Sequence, residues 1–342
     1  MVKIKLKEIS ELSSKIGKNL DLIQGAGGNT SKKIDDILWV KASGCWLSDA
    51  LEENIFVPVR YKNILMNIDN KESDPVSSEV INYDEIKNLR PSIETTLHAV
   101  MPYKYVVHTH SINSIVNTVT KENLALLSEK LDNLNWSLVQ YAKPGLPLAK
   151  QVKASLKPGI DVILMANHGV VIGSDSIKEL EEKIVDLESR LKMPLRKTRK
   201  QPKLKELQNL VKDTDYSIPN EDIVHSLALD ESAIDAVSIR SLYPDHVVFL
   251  GPKPFLYQSI EELKDLKLNE ETPELIFIKN NGVYVKESFN QAKTLQLRCY
   301  YQVLIRQKNR SNLRSLSNLE IKDLLGWDAE KYRIELSKRK TS

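Results

Sequence analysis

Three of the six histidines stand in two short motifs, and each motif abuts a β-branched run. His108-Thr109-His110 ends the run Tyr105-Val106-Val107, and His168 is the centre of Asn167-His168-Gly169, between Val162 to Met165 and Val170 to Ile172. Such runs read as strands, in which residues two apart point to one face. His108 and His110 therefore project together from the place where a buried strand emerges. A turn between two strands aims His168 into a cleft. The candidate metal ligands are His108, His110 and His168. Three neutral nitrogen ligands around one open position are the pattern of a catalytic metal site, with nitrogen about 2.0–2.1 Å from zinc.

The 342 residues suffice for one large domain or two of ordinary size. Hydrophobic residues at 41% and charged residues at 28% exclude a wholly disordered chain. Cys45 and Cys299 alone build neither a disulfide scaffold nor a cysteine zinc site, and such sparse use fits a reducing compartment. The first residues lack an apolar signal core, and no apolar run reaches the length of a membrane span. The expectation is a cytoplasmic protein. A net charge of +3 argues neither for nor against a nucleic-acid surface.

Helical spacing of Ile9, Leu12, Ile16 and Leu20 predicts an amphipathic first helix. Gly25 to Ser31 reads as a turn cluster, Ile37 to Lys41 as a strand and Pro91 to Met101 as a short helix started by Pro91 and stopped by Pro102. Ser176 to Lys192 reads as a long charged helix, and Asn318 to Leu336 as a helical tail. Between them, the segment with Arg196, Lys197, Arg199, Lys200, Lys203 and Lys205 reads as a solvated linker, since it lacks the aromatic partners of a nucleic-acid arm.

On the Pro91 helix, Glu94 and His98 share a face at i and i+4. Glu94 is a candidate general acid or base, because a partly desolvated carboxylate near a metal can be tuned towards neutral pH. His98 is read as structural. Gly25-Ala26-Gly27 is no dinucleotide fingerprint: Thr30 stands where glycine or alanine is needed, and no strand precedes it. Backbone N–H groups of Gly27-Gly28-Asn29 and of Ser43-Gly44 are instead expected to form an anion nest, with Asn29, Ser43 and Ser92 adding side-chain donors.

A faint repeat lays Tyr103–His110 over Pro244–Gly251, and Asn167–Ile172 over Asn280–Val285. In the second copy Phe249, Gly251 and Asn281 replace the three histidines, so a second, metal-free half is expected.

Gly28-Asn29-Thr30-Ser31, Lys41-Ala42-Ser43-Gly44, Pro91-Ser92-Ile93-Glu94, His108-Thr109-His110 and Asn167-His168-Gly169 occur in the order found in the class II aldolase/adducin family, which residues 5 to 192 resemble. The wording looks closest to the aldolase half of bifunctional rhamnulose-phosphate aldolase/dehydrogenases, without a dehydrogenase half. The resemblance implies an α/β fold with a three-layer α/β/α metal-binding catalytic domain over 1–192 and a mainly antiparallel central sheet; the residues beyond it read as a basic linker over 193–215 and, from the repeat, a smaller α/β domain over 216–342, a degenerate copy with a helical tail. It implies a lyase that cleaves a ketose 1-phosphate or related sugar acid through an enediolate. The three histidines would hold Zn²⁺, or Mn²⁺, Co²⁺ or Fe²⁺. Glu94 would be the acid/base, Tyr141 a further active-site residue, and Asn29, Ser43, Gly44 and Ser92 would form the phosphate-binding loops. Ile93 stands where sugar-phosphate aldolases of the family carry a second serine. The implied partners are a small sugar-phosphate-like substrate and further copies of the chain in a homo-oligomer, with no nucleic acid and no membrane. The same scaffold serves epimerases, dehydratases and decarboxylases, and adducin-like members without the histidines are structural proteins.

Overall fold

The computed structural model describes all residues except 1, 83–85, 87–88, 197–201, 213, 239–240, 266–271, 311 and 340–342. Lys197, Arg199 and Lys200 of the basic segment lie outside the described residues. The chain opens with α1 (Val2–Gly17). Its first strands are β1 (Asn29–Ile34), β2 (Ile37–Lys41) and β3 (Phe56–Arg60), followed by α2 (Tyr61–Asp69) and α3 (Thr95–Val100). Then come β4 (Tyr105–Thr109), α4 (Ile112–Thr118), β5 (Trp136–Val139), α5 (Leu146–Ser155), β6 (Val162–Met165), β7 (Gly169–Ser174) and α6 (Ile177–Leu191). These seven strands form one sheet in the order β3-β2-β1-β4-β7-β6-β5, antiparallel except for the β5–β6 pair.

Strand alternation sorts the core into two layers. Tyr105, Val107, Leu164, Val170 and Ile172 pack with Ile9 and Leu12 of α1 and Leu180 and Leu187 of α6. Val106, Ile163, Met165 and Val171 pack on the opposite face with Ile64 of α2, Leu97 of α3 and Val152 of α5. The expected α/β/α layering over a mainly antiparallel sheet is thereby realised. His108 shares the parity of Val106, so its ring faces the α3 layer. Asn29 is its direct cross-strand partner and faces the same way.

The remaining strands are β8 (Tyr216–Ser217), β9 (Leu256–Tyr257), β10 (Leu275–Ile278) and β11 (Gly282–Lys286), in the order β8-β11-β10-β9. The helices α7 (Gln291–Ile305), α8 (Asn318–Leu325) and α9 (Asp328–Arg339) follow. The two regions share a core: Ile112, Ile115 and Val116 of α4 pack with Phe277, Val283, Leu297 and Val303. No helix among the described residues is long and apolar enough to cross a membrane.

Four local expectations are corrected. Asn29, Thr30 and Ser31 belong to β1, so the turn ends at Gly28. Gly28 has φ +61°, and a Cβ there would meet the His108 carbonyl oxygen at 2.8 Å, which is why glycine ends the turn. The Pro91 helix begins only at Thr95. Pro91 instead bridges Ala42 in antiparallel fashion, with the Ser43 N–H donating to Arg90 and the Ser92 N–H to Lys41. The helical tail is two helices separated at Gly326-Trp327. Residues 246–250, laid over a strand in the repeat, form a π-helical turn. The other half of the repeat is a hairpin in both places: Asn167 (φ 57°) joins β6 to β7, Asn280 (φ 58°) joins β10 to β11, and a helix of 15 residues follows each.

The Asn167 amide donates 2.8 Å hydrogen bonds to the carbonyls of Leu242 and Arg314, tying the His168 turn to the second region. An N167A variant loses both bonds and puts alanine in the left-handed region. It should unfold about 2 kcal/mol more easily. An unchanged denaturant midpoint at equal slope would refute this.

Candidate metal centre and its cavity

The end of β4, the β6–β7 turn and the start of α3 converge. One ligand atom each from Glu94, His108, His110 and His168 lies within 4.8 Å of the others, and all four residues are buried. The three imidazole centroids are 4.9, 4.9 and 5.1 Å apart. Glu94 Oε2 is 3.2 Å from His108 Nε2, and Glu94 Oε1 is 3.5 Å from His168 Nε2.

The surrounding hydrogen bonds set the tautomers. The Val170 carbonyl only accepts, so His108 Nδ1 carries the proton across 3.0 Å and Nε2 keeps its lone pair. The Asp245 carboxylate plays the same part for His110 Nδ1 at 2.9 Å, which leaves His110 Nε2 as an acceptor. Among the described residues, His108 Nε2, His110 Nε2, His168 Nδ1 and Glu94 Oε1 are buried without a hydrogen-bond partner. A cluster of buried lone pairs is costly unless something electrophilic sits among them. Three imidazoles and a carboxylate are the donor set for Zn²⁺ or a related first-row cation. The residues present fit such an ion.

Burial opposes ionisation of Glu94, but the neighbouring imidazoles, His108 first, outweigh it and hold the carboxyl well below its usual value. Burial lowers His108, yet the Glu94 carboxylate outweighs it and raises that imidazole. Burial pushes His168 down to about 3, so that ring is neutral and available as a donor.

The supporting shell lies on β1. The Asn29 amide donates to Glu94 Oε2 at 2.9 Å and to Ser92 Oγ at 3.1 Å, while its carbonyl oxygen meets His98 Nε2. Ser31 Oγ contacts His98 Nδ1 at 2.7 Å. Burial pushes His98 down to about 3. His98 is a neutral spacer that orients Asn29, in keeping with its structural reading.

Beside the cluster lies a small cavity lined by Asn29, Ser43, Gly44, Ser92, Glu94, His110 and His168 among others. Seven residues named from the sequence thus come together, with His108 buried just behind them. Ile93 also lines the cavity. The backbone nest is corrected in part: the N–H groups of Gly27 and Ser43 already donate to Gln24 and Arg90. The Ser43 and Ser92 side chains remain at the cavity wall. Tyr141 is not among the lining residues. It packs in an apolar cluster with Val247, Leu316, Ile321 and Leu324.

Three polar contributors were not named from the sequence. Lys41 lines the cavity and donates to the carbonyls of Ala26 and Gly28 at 2.7 and 2.8 Å, and burial pushes its ammonium down to about 7. A lysine ending a buried strand is the signal the sequence offers for it. Asp245 and Arg333 reach the cavity from the second region, joined by a 3.0 Å ion pair. No local pattern marks either of them.

The layered sheet and a buried histidine cluster beside a cavity define a metal-competent α/β enzyme-type domain. The chain belongs to the family described as Class II Aldolase and Adducin N-terminal domain, whose model matches residues 7–195. The Uncharacterized oxidoreductase YuxG of Bacillus subtilis (strain 168) is 28% identical over 198 residues, covering 53% of this chain and 28% of that protein. The matched part thus spans about a quarter of that relative's length. Among solved structures, the N-terminal class II aldolase domain of a conserved protein from Thermoplasma acidophilum is 31% identical, covering 54% of this chain and 90% of that one, with a TM-score of 0.47. A sugar-phosphate aldolase from Thermotoga maritima is 18% identical over 54% of this chain and 92% of that one, with a TM-score of 0.42.

Proposed function

We propose that the chain is a divalent-metal-dependent carbon–carbon lyase that reversibly cleaves a ketose 1-phosphate or a related sugar acid. The observation that carries this reading is the buried quartet of Glu94, His108, His110 and His168, whose ligand atoms lie within 4.8 Å of one another. His108, His110 and His168 would hold the ion, with Zn²⁺ the first choice and Mn²⁺, Co²⁺ or Fe²⁺ the alternatives. When bound, such an ion supplies Lewis-acid polarisation of a carbonyl and stabilises the negative charge that develops on its oxygen.

The protein's own groups do the rest. Glu94, held by the Asn29 amide, would take and return the proton of the reacting carbon. Ser43, Ser92, Gly44 and the Lys41 ammonium would receive the substrate's anionic end, fixing its distance from Glu94. Tyr141, packed outside the cavity lining, has no role in this scheme.

We also read the second region as a metal-free stand-in for a neighbouring subunit. Its support is the matching Asn167 and Asn280 hairpins, and the entry of Asp245 and Arg333 into the cavity wall.

Elemental analysis of the purified protein, followed by retro-aldol assays over a panel of ketose 1-phosphates, tests the lyase reading. About one first-row cation per chain and release of dihydroxyacetone phosphate from at least one substrate are expected. Protein that carries a cation yet cleaves no member of the panel would retire the lyase assignment in favour of another reaction at the same centre.

A further inference from the structure

We infer that Asp245 is a positioning residue that locks His110 for metal binding, so that the second region completes a centre whose ligands all lie in the first. This rests on the metal reading above. Asp245 immediately precedes the π-helical turn His246–Leu250 and is 2% exposed. Its Oδ2 accepts from His110 Nδ1 at 2.9 Å and from the Gln296 amide of α7 at 3.1 Å. Its Oδ1 accepts from Arg333 Nη2 of α9 at 3.0 Å. Three elements separated by long stretches of chain therefore converge on one carboxylate.

The consequence for His110 is specific. An ionised carboxylate accepts only, so it fixes the proton on Nδ1, orients the ring and leaves the Nε2 lone pair directed at the other donors. The Arg333 guanidinium, 3.0 Å from Oδ1, favours the ionised carboxylate. His108 receives the equivalent restraint from the Val170 carbonyl, inside the first region. His110 has its partner 135 residues away, beyond the family-matched stretch. The packing is close: a Cβ on Gly27 would stand 2.9 Å from His110 Nδ1 and 3.1 Å from Asp245 Oδ2. Gly27 thus leaves room for the pair.

Outer partners of metal-binding histidines are worth about 10–100-fold in metal affinity. The test uses the full chain, stripped of metal and titrated with Zn²⁺ against a chromophoric chelator, and with Co²⁺ while the visible ligand-field bands are recorded. D245A should weaken cation binding by about 10–100-fold. D245N keeps the side-chain volume but loses the charge and the obligatory acceptor. It should weaken binding by about tenfold and shift the Co²⁺ bands, which a purely structural role would leave in place. Should D245A fail to fold, D245N carries the decision. Wild-type affinity together with an unaltered Co²⁺ spectrum in D245N overturns the inference alone. A wild-type chain that takes up neither ion overturns the metal reading, and the inference with it.

Discussion

A H110A variant should lose its cation and its turnover together. His110 Nε2 is buried without a hydrogen-bond partner among the described residues, and His110 supplies one of the four clustered ligand atoms, so its removal opens the donor set. The loss of affinity should exceed the roughly 10–100-fold cost of losing an outer-shell partner. Activity against any cleaved substrate should fall to background. The fold should persist, because Asp245 stays paired with Arg333 and Gln296, and the sheet core on either side of β4 does not include the ring. Metal content by elemental analysis, chelator competition and far-ultraviolet circular dichroism measure the three parts separately. H110A protein that retains one tightly bound ion and full turnover would remove this histidine from the centre.

An E94Q variant is expected to keep its cation and to turn over about 10²–10⁴-fold more slowly. Glutamine preserves the volume and an oxygen that can accept from the Asn29 amide, but it cannot carry the proton. The geometry makes this variant doubly informative, because the Glu94 oxygens approach His108 Nε2 at 3.2 Å and His168 Nε2 at 3.5 Å. Glu94 thus stands inside the ligand cluster as well as at the cavity wall. Slow turnover with full metal content assigns proton transfer to Glu94. Slow turnover with loss of the ion assigns it as a ligand instead, and wild-type turnover removes it from the mechanism. Single-turnover rates on metal-saturated protein separate the first outcome from the second.

Much of the site was legible because its signals are local. The histidine pair at the end of β4 follows from strand alternation, and the His168 turn from Asn167-His168-Gly169 between two β-branched runs. The helix read over Ser176 to Lys192 spans Ile177–Leu191, because Ser176 caps the Glu179 N–H and Leu180, Ile184, Leu187 and Leu191 repeat at helical spacing. Misreadings arose where a distant partner overrode the local pattern. Pro91 suits a helix start, but the bridge to Ala42 holds it extended until Thr95. His246–Leu250 has a strand's composition. Yet Val247 packs against Tyr141 and Leu316, while Phe249 packs against Ala292, contacts that a helical turn presents on different sides. Tyr141 itself shows the limit: a tyrosine before Pro144-Gly145 suits either a cavity or a core, and the local sequence does not distinguish them.

The sequence by itself determined the strand and hairpin ends that carry His108, His110 and His168, because side-chain parity and turn chemistry act over a few residues. Only the tertiary structure decided that Asp245 and Arg333 brace His110, and that the Gly27 and Ser43 N–H groups are consumed by backbone partners. Those outcomes depend on close packing and on satisfying buried polar groups across the whole chain. Neither leaves a periodic trace along it.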